Sequence, residues 1–295
     1  MERIGFIGLG IMGRPMAKNL LSSGTQITVF DVNQQSVAEM RDCGAEVSSP
    51  ATIGGSCDII FMILPDGNTV SDVLFGDNGV AATVCPGTLV VDMSSVTPNE
   101  SKNCAKRLGA LGASFMDCPV SGGEPKALDG TLAFMCGGSV DDYTRTKPYL
   151  DIMGDSHTLV GDIGAGSVAK LANQIIVNMT IAAISEALTL ATKAGVDPEA
   201  VYNAIRGGLA GSTVLDAKAP MMLRRDFKPG GKVSVNHKDI RNVMNSAHEL
   251  DVPLPLTAQL FEIFQCLKVA GKMNEDHSSI VKFYETIAGV EVRGG

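Results

Sequence analysis

No run of lysine or arginine interrupts this 295-residue chain, whose formal net charge is −8. That balance argues against a nucleic-acid partner, which needs clustered positive charge facing the phosphates. It leaves an anionic substrate open, provided positive charge is supplied locally by a few placed lysines and backbone amides. The four histidines, His157, His237, His248 and His277, have neither mutual spacing nor acidic neighbours that form a ligand set, so no metal is expected. The seven cysteines, Cys43, Cys57, Cys85, Cys104, Cys118, Cys136 and Cys266, are an odd number without a C-x-x-C pair, and they read as reduced thiols in the cytoplasm. Cys118 lies beside a glycine-rich stretch, but no histidine near it in sequence could activate it, so it reads as a small buried hydrophobe. No signal peptide is expected, nor a membrane span, because polar residues or glycine break each long apolar run. There is no internal repeat and no low-complexity tract.

What is present is a well-packed globular composition, 45% hydrophobic and 19% charged, in a chain long enough for two domains. It opens on R-I-G-F-I-G-L-G-I-M-G-R-P-M-A-K-N-L, Arg3 to Leu20. The apolar run Ile4 to Ile7, the glycines Gly8, Gly10 and Gly13, and the helical spacing of Met12, Met16, Leu20 and Leu21 predict a strand, a tight turn and a helix. Gly8 permits the turn, Gly10 lets a pyrophosphate approach the backbone, and Gly13 lets the helix pack close on the strand. The loop Gly8-Leu9-Gly10-Ile11-Met12-Gly13 is therefore a candidate dinucleotide-binding turn, with the negative charge at the helix N-terminus.

A second apolar run, Ile27 to Phe30, ends in Asp31, about twenty residues past the glycines, where such a fold binds the adenosine ribose hydroxyls. A carboxylate there would repel a 2′-phosphate, and Val32 and Asn33 follow without an arginine, so NAD is favoured. The alternative is that Asp31 only caps the next helix, Gln34 to Asp42. Further strands are expected at Asp58 to Leu64 and Thr88 to Asp92, buried on both faces as in a parallel sheet. Their carboxyl ends put the backbone of Leu64 and Pro65, and the Met93-Ser94-Ser95-Val96 segment, on the cofactor rim. A helix then starts with Thr97 as N-cap, Pro98 as first residue and Glu100 in the first turn.

The strand Ser114 to Pro119 delivers Val120-Ser121-Gly122-Gly123-Glu124-Pro125-Lys126 to the same rim. Ser121, Gly122 and Gly123 form either an anion cradle for a substrate carboxylate or an ordinary turn before the strand Thr131 to Cys136. Lys126 reads as a surface lysine. A helix near Asp141 to Met153 and a strand His157 to Val160 follow. From Ser167 to Ala194 there is neither proline nor glycine, which predicts a helix of about 40 Å, long enough to join two domains. Beyond it only helices are expected, around 215–223, 236–250, 256–270 and 278–287. The fold class is α/β, a Rossmann-type doubly wound sheet (1–163) followed by an all-helical domain (164–295) joined by a long helix. Phe261, Phe264 and Leu267 on one helix offer apolar surface to another subunit.

On the long helix Lys170, Asn173 and Gln174 stand at i, i+3 and i+4, on one face among the apolar Val168, Leu171, Ile175 and Ile176. A lysine there is either snorkelling from a helix end or set up for acid–base chemistry, and the two neighbouring amides favour a site.

Four separated motifs, G-L-G-I-M-G-R-P-M-A, D-C-P-V-S-G-G-E-P-K-A, G-A-G-S-V-A-K-L-A-N-Q and N-H-K-D-I, together resemble the β-hydroxyacid dehydrogenase family over the whole chain. The resemblance implies hydride transfer between a nicotinamide cofactor and a small carboxylate-bearing aldehyde or hydroxyacid, and a dimer or tetramer. It implies that Lys170 is the general acid and base, that Asn173 helps bind substrate, that Ser121, Gly122 and Gly123 hold its carboxylate, and that Lys238 reaches the nicotinamide side. Val96 stands where several members carry threonine or serine, so only its backbone could meet the cofactor. Asp31 lacks the following arginine of some relatives, which leans to NAD and leaves NADP open. Within the family, E-P-K-A and the segment Ala204 to Ala219 look most like the members acting on tartronate semialdehyde. Other β-hydroxyacids, glyoxylate, and a non-catalytic NAD-binding protein are the alternatives.

Overall fold

In a computed structural model describing residues 2–295, the chain order is β1 (Ile4–Ile7), α1 (Gly13–Ser22), β2 (Ile27–Phe30), α2 (Gln34–Asp42), β3 (Glu46–Val47), α3 (Pro50–Ser56), β4 (Ile59–Met62), α4 (Gly67–Phe75), β5 (Leu89–Asp92), α5 (Pro98–Gly109), β6 (Ser114–Asp117), β7 (Val120–Ser121), α6 (Gly123–Asp129), β8 (Leu132–Gly137), α7 (Val140–Met153) and β9 (Gly154–Gly161). Then come α8 (Ala165–Lys193), α9 (Pro198–Ile205), α10 (Thr213–Leu223), α11 (Val233–Glu249), α12 (Pro255–Val269) and α13 (Val281–Ala288), the last preceded by a 3-10 turn at His277–Ile280.

The strands form one sheet in the order β3-β2-β1-β4-β5-β6-β8-β7, with β9 also paired to β8. From β3 to β6 every pairing is parallel, and β8 runs antiparallel to β6. Every residue of β1, β4 and β5 is buried, as strands covered by helices on both faces must be. Alternation along them feeds two cores: Ile4, Phe6, Phe61 and Val91 on one face, Ile7, Ile60, Met62 and Val90 on the other. This is the doubly wound Rossmann sheet expected. Five elements of the sheet unit's strands and α-helices go beyond the expectation: the exposed two-residue β3, helices α3 and α4, and β7 and α6 where a turn was expected. Helix α3 hides behind Gly54 and Gly55, poor helix formers. Gly54 is needed because a Cβ there would lie 2.3 Å from the Val80 carbonyl oxygen. Helix α4 is capped by Asp66, which accepts from the Thr69 amide at 2.8 Å.

Two compact units meet inside α8, the first ending at Lys170 and the second beginning at Leu171. The reason is local: the first turns of α8 pack into the sheet unit. The second unit is helical apart from an isolated bridge between Lys232 and Asp276, and its core holds Ile181, Leu188, Met222, Ile240, Leu260 and Ile280. Phe264 and Leu267 belong to that core, at 0% and 2% exposure, so they are not the intersubunit surface expected of them. By length and composition α8 could cross a membrane, against the expectation that polar residues break each apolar run too soon. Its Ile181, Ile184 and Leu188 are instead core residues of the helical unit.

The start of α8 is held by a buried acid. Asp117, the last residue of β6, accepts from the Gly164 amide at 2.7 Å through Oδ1 and from the Ser167 amide at 2.6 Å through Oδ2. These are orphan amides of a helix N-terminus, and the negative charge suits that end of the dipole. Burial pushes the Asp117 carboxyl above its ordinary value, while the two amides pull it back down. Close approach requires glycine here. A Cβ on Gly166 would lie 2.4 Å from the Met135 carbonyl oxygen, and one on Gly137 would lie 2.6 Å from Asp117 Oδ1. Asp117→Ala should leave two buried amides unpaired and cost about 2–4 kcal/mol in urea unfolding. A loss below about 0.5 kcal/mol, the level of an ordinary surface change, would mean that this carboxylate does not hold the helix.

Candidate active site

The three glycines of the first turn do three different things. Gly8 has φ +100°, and a Cβ there would lie 2.2 Å from the Ile63 carbonyl oxygen. A Cβ on Gly13 would lie 1.9 Å from the Gly8 carbonyl oxygen, so α1 closes on β1 only with glycine at that place. Gly10 is exposed and a Cβ there would meet nothing within 4 Å, which leaves open space above the backbone. Helix α1 begins after Met12 with no side-chain cap and no acidic residue in its first turn. That opening fits a dinucleotide pyrophosphate: donors face it, no carboxylate opposes it, and Ile11 is exposed beside it at 46%.

Asp31 does not cap α2. Asn33 does, accepting from the Gln35 and Ser36 amides. The Asp31 carboxylate instead accepts from the Leu9 amide at 2.5 Å on Oδ2 and from the Asn33 amide at 2.7 Å on Oδ1. It thereby ties the end of β2 to the glycine turn and, being half-buried, keeps acceptor capacity for ribose hydroxyls. Farther along the rim, the Leu64 amide donates to Ser94 Oγ at 2.8 Å, and the Ser94 amide donates to Asp92 Oδ1 at 3.0 Å. The Leu64 amide is thus engaged within the rim, and Pro65 has none. Ser95 is half-buried, and the Val96 side chain, 2% exposed, sits in the core.

Beyond β6 the chain turns through Gly122 (φ +139°) and Gly123 (φ +72°) between β7 and α6. Gly122 is required there, since a Cβ would lie 2.7 Å from Lys126 Cβ and Cδ. Lys126 is exposed as expected, with its stem passing over Gly122. Lys170, the last residue of the sheet unit, donates from Nζ to the Val120 carbonyl oxygen at 2.8 Å. An ammonium therefore stands one residue from Ser121-Gly122-Gly123. A proton donor and a loop rich in backbone amides meet at the carboxyl-end rim of the sheet. Cys118 lies nearby but is fully buried with its thiol 3.0 Å from that of Cys136, and burial drives its ionisation far upward. It is no nucleophile.

In the helical unit Asn173 donates from Nδ2 to Gln174 Oε1 at 3.0 Å. Gln174, expected to bind substrate, is 6% exposed and donates to Asp239 Oδ2 at 2.6 Å and to Asn236 Oδ1 at 3.3 Å. Its amide is spent inside the unit, so it braces its neighbours rather than facing a ligand. Lys238, 14% exposed, pairs with Asp239 at 3.1 Å. Asn236 and Asp239 lie within N-H-K-D-I, but the spacing of a helical motif does not show which of its side chains turn inward. Of the same motif, His237 stacks on Phe261 at 5.1 Å, and burial lowers its affinity for a proton. Among the described residues no group of three or more His, Cys, Asp or Glu could hold a metal ion.

Two family models match the chain: residues 3–161 fit the NAD binding domain of 6-phosphogluconate dehydrogenase, and residues 164–284 fit the NAD-binding region of NADP-dependent 3-hydroxyisobutyrate dehydrogenase. The chain is 42% identical over 287 residues to the 2-hydroxy-3-oxopropionate reductase of Escherichia coli (strain K12), covering 97% of this chain and 98% of that one. It is 37% identical to the 2-(hydroxymethyl)glutarate dehydrogenase of Eubacterium barkeri, covering 99% and 98%. The crystal structure of a 3-hydroxyisobutyrate dehydrogenase from Salmonella typhimurium superposes with a TM-score of 0.87 at 31% identity, covering 96% of this chain and 100% of that one.

The glycine geometry separates binding from folding. Gly10→Ala should melt like the parent yet weaken NADH binding at least tenfold in a fluorescence titration, whereas Gly13→Ala should lower the melting temperature itself. Equal melting losses in both would overturn the assignment of open space at Gly10. Asp31→Ser should raise the Michaelis constant for NADH well above that for NADPH, and an equal change in both would remove Asp31 from ribose binding.

Proposed function

Since the chain belongs to the family of NAD(P)-dependent β-hydroxyacid dehydrogenases, oxidoreductases that act on the CH–OH group of such acids, we propose that it interconverts tartronate semialdehyde (2-hydroxy-3-oxopropanoate) and glycerate. The observation that carries the chemistry is the Lys170 ammonium, hydrogen-bonded to Val120 O at 2.8 Å beside Ser121-Gly122-Gly123. An aldehyde bearing a carboxylate needs a proton donor at one end and an anion-binding loop at the other, and these residues bring the two together. The choice of substrate rests on E-P-K-A, on Ala204 to Ala219, and on the 42% identity to the Escherichia coli reductase.

The Gly8 to Gly13 loop, Asp31, Leu64, Pro65, Ser95, Val96 and Lys238 would hold the dinucleotide, with NAD preferred because Asp31 disfavours a 2′-phosphate. When bound, the reduced nicotinamide supplies the hydride. Ser121 and the amides of Gly122 and Gly123 hold the substrate carboxylate and aim the aldehyde. Lys170 gives a proton from Nζ to the carbonyl oxygen as it becomes an alkoxide, and takes it back in the reverse direction. Its hydrogen bond to Val120 O keeps the ammonium over the loop rather than in open solvent. Asn173, three residues farther along the same helix, orients the substrate.

The thiols and the surface support a cytoplasmic homo-oligomer. Seven free cysteines suit the reducing cytoplasm. A homo-oligomer is supported by an apolar groove of about 540 Å³ on the helical unit, lined by Ala187, Leu190, Tyr284 and Ile287. Lys170→Ala should lower turnover about 10²- to 10⁴-fold with NADH binding retained. A near-normal rate would remove Lys170 from proton transfer. Oxidation of NADH with tartronate semialdehyde should be fastest among a panel holding methylmalonate semialdehyde and glyoxylate. Preference for another acid would overturn the substrate while leaving the chemistry in place.

A further inference from the structure

In the helical unit one buried acid is joined by hydrogen bonds to the residues around Asn173 and to Lys238. Asp239 is 2% exposed, and burying a carboxylate so deeply is costly unless its oxygens are matched by donors. Each oxygen has one. Oδ1 faces Lys238 Nζ at 3.1 Å, and Oδ2 accepts from Gln174 Nε2 at 2.6 Å. We infer that Asp239 is a positioning residue that sets Lys238 with one oxygen and, through Gln174, sets Asn173 with the other. The inference rests on the roles given above to Lys238 and Asn173.

The argument is one of hydrogen-bond polarity. A carboxylate only accepts, so Gln174 must turn its NH₂ toward Asp239. The second N–H of that amide meets Asn236 Oδ1 at 3.3 Å, and Asn236 is itself oriented by donating from Nδ2 to the Lys232 carbonyl oxygen at 3.0 Å. With both N–H groups committed, Gln174 can offer Asn173 only its carbonyl oxygen. Asn173 answers with Nδ2 at 3.0 Å. The way the Asn173 amide faces is therefore decided two residues away: its carbonyl oxygen and remaining N–H turn from Gln174. Replacing the carboxylate by an amide removes this direction, because an amide can present either an oxygen or an NH₂ to Gln174. It also removes the charge opposite Lys238.

The test uses the intact protein and whichever semialdehyde it reduces fastest, so it does not depend on the identity of the substrate. Asp239→Asn should raise the Michaelis constant for NADH several-fold and lower kcat/KM for the aldehyde about 10- to 100-fold, the scale of a mispositioned catalytic group. These effects should then separate. In a Lys238→Met background, Asp239→Asn should no longer change the Michaelis constant for NADH. In a Gln174→Met background it should no longer change kcat/KM for the aldehyde. Measurements well below each variant's melting temperature keep folding out of the comparison.

A merely structural acid would give the same loss in every background, and that additivity would overturn the proposal. So would an Asp239→Asn protein with parental kinetics and only a lower melting temperature. If Lys238→Met leaves the Michaelis constant for NADH unchanged, the cofactor role of Lys238 fails. A rise on Asp239→Asn in that same background would then overturn the proposal too.

Discussion

The position of the long helix depends on one buried carboxylate. Asp117 ends β6 in the interior and receives the amides of Gly164 and Ser167, so α8 begins pressed against the carboxyl end of the sheet. Gly137 and Gly166 make room for that approach, and the Ser101 and Ser167 hydroxyls, 3.0 Å apart, brace it. Five residues into the helix, Lys170 arrives at Val120 O. A charged side chain that reaches its mark so soon after the helix start inherits the precision of that start, before bending or fraying can accumulate along the 29-residue helix.

The charge pattern follows the same economy. A protein of net charge −8 that handles an anion has to concentrate positive potential at few places. The helix N-terminus after Met12 presents donors without an acid in its first turn, and Lys170 and Lys238 are each hydrogen-bonded or paired rather than left to wander. Elsewhere two pairs are largely buried, Lys218 with Asp276 and Arg225 with Glu285, while others are ordinary surface ones. Arg3 with Asp58, for example, draws the carboxyl down to about 2, yet with side chains 65% and 35% exposed it contributes little to stability.

Much of the fold was legible in the sequence because its signals were local. Apolar runs of four residues marked β1 and β4, and Thr97-Pro98 with Glu100 marked α5, whose capping box closes with Thr97 N donating to Glu100 Oε2 at 2.7 Å. What stayed hidden depends on contacts distant in sequence. Helix α3 carries Gly54, which the approach of Val80 explains, and the division of the units inside α8 depends on Asp117, about fifty residues upstream. At the site, spacing put Lys170, Asn173 and Gln174 on one face but could not show that Gln174 turns inward to Asp239. Periodicity reports a direction around the helix axis; the partner met in that direction is a tertiary fact.

The bond from Leu9 N to Asp31 has a consequence for altering this protein. One carboxylate both serves as the expected ribose acceptor and latches the glycine turn to β2 at 2.5 Å. Under the proposed role of Asp31, discrimination between the two dinucleotides would share its atoms with the stiffness of the phosphate loop. Redesign for a 2′-phosphorylated cofactor by exchanging Asp31 for a small or cationic residue would also unlatch the turn. The workable route adds positive charge at the exposed Val32, spares the α2 cap at Asn33, and keeps an acceptor at position 31.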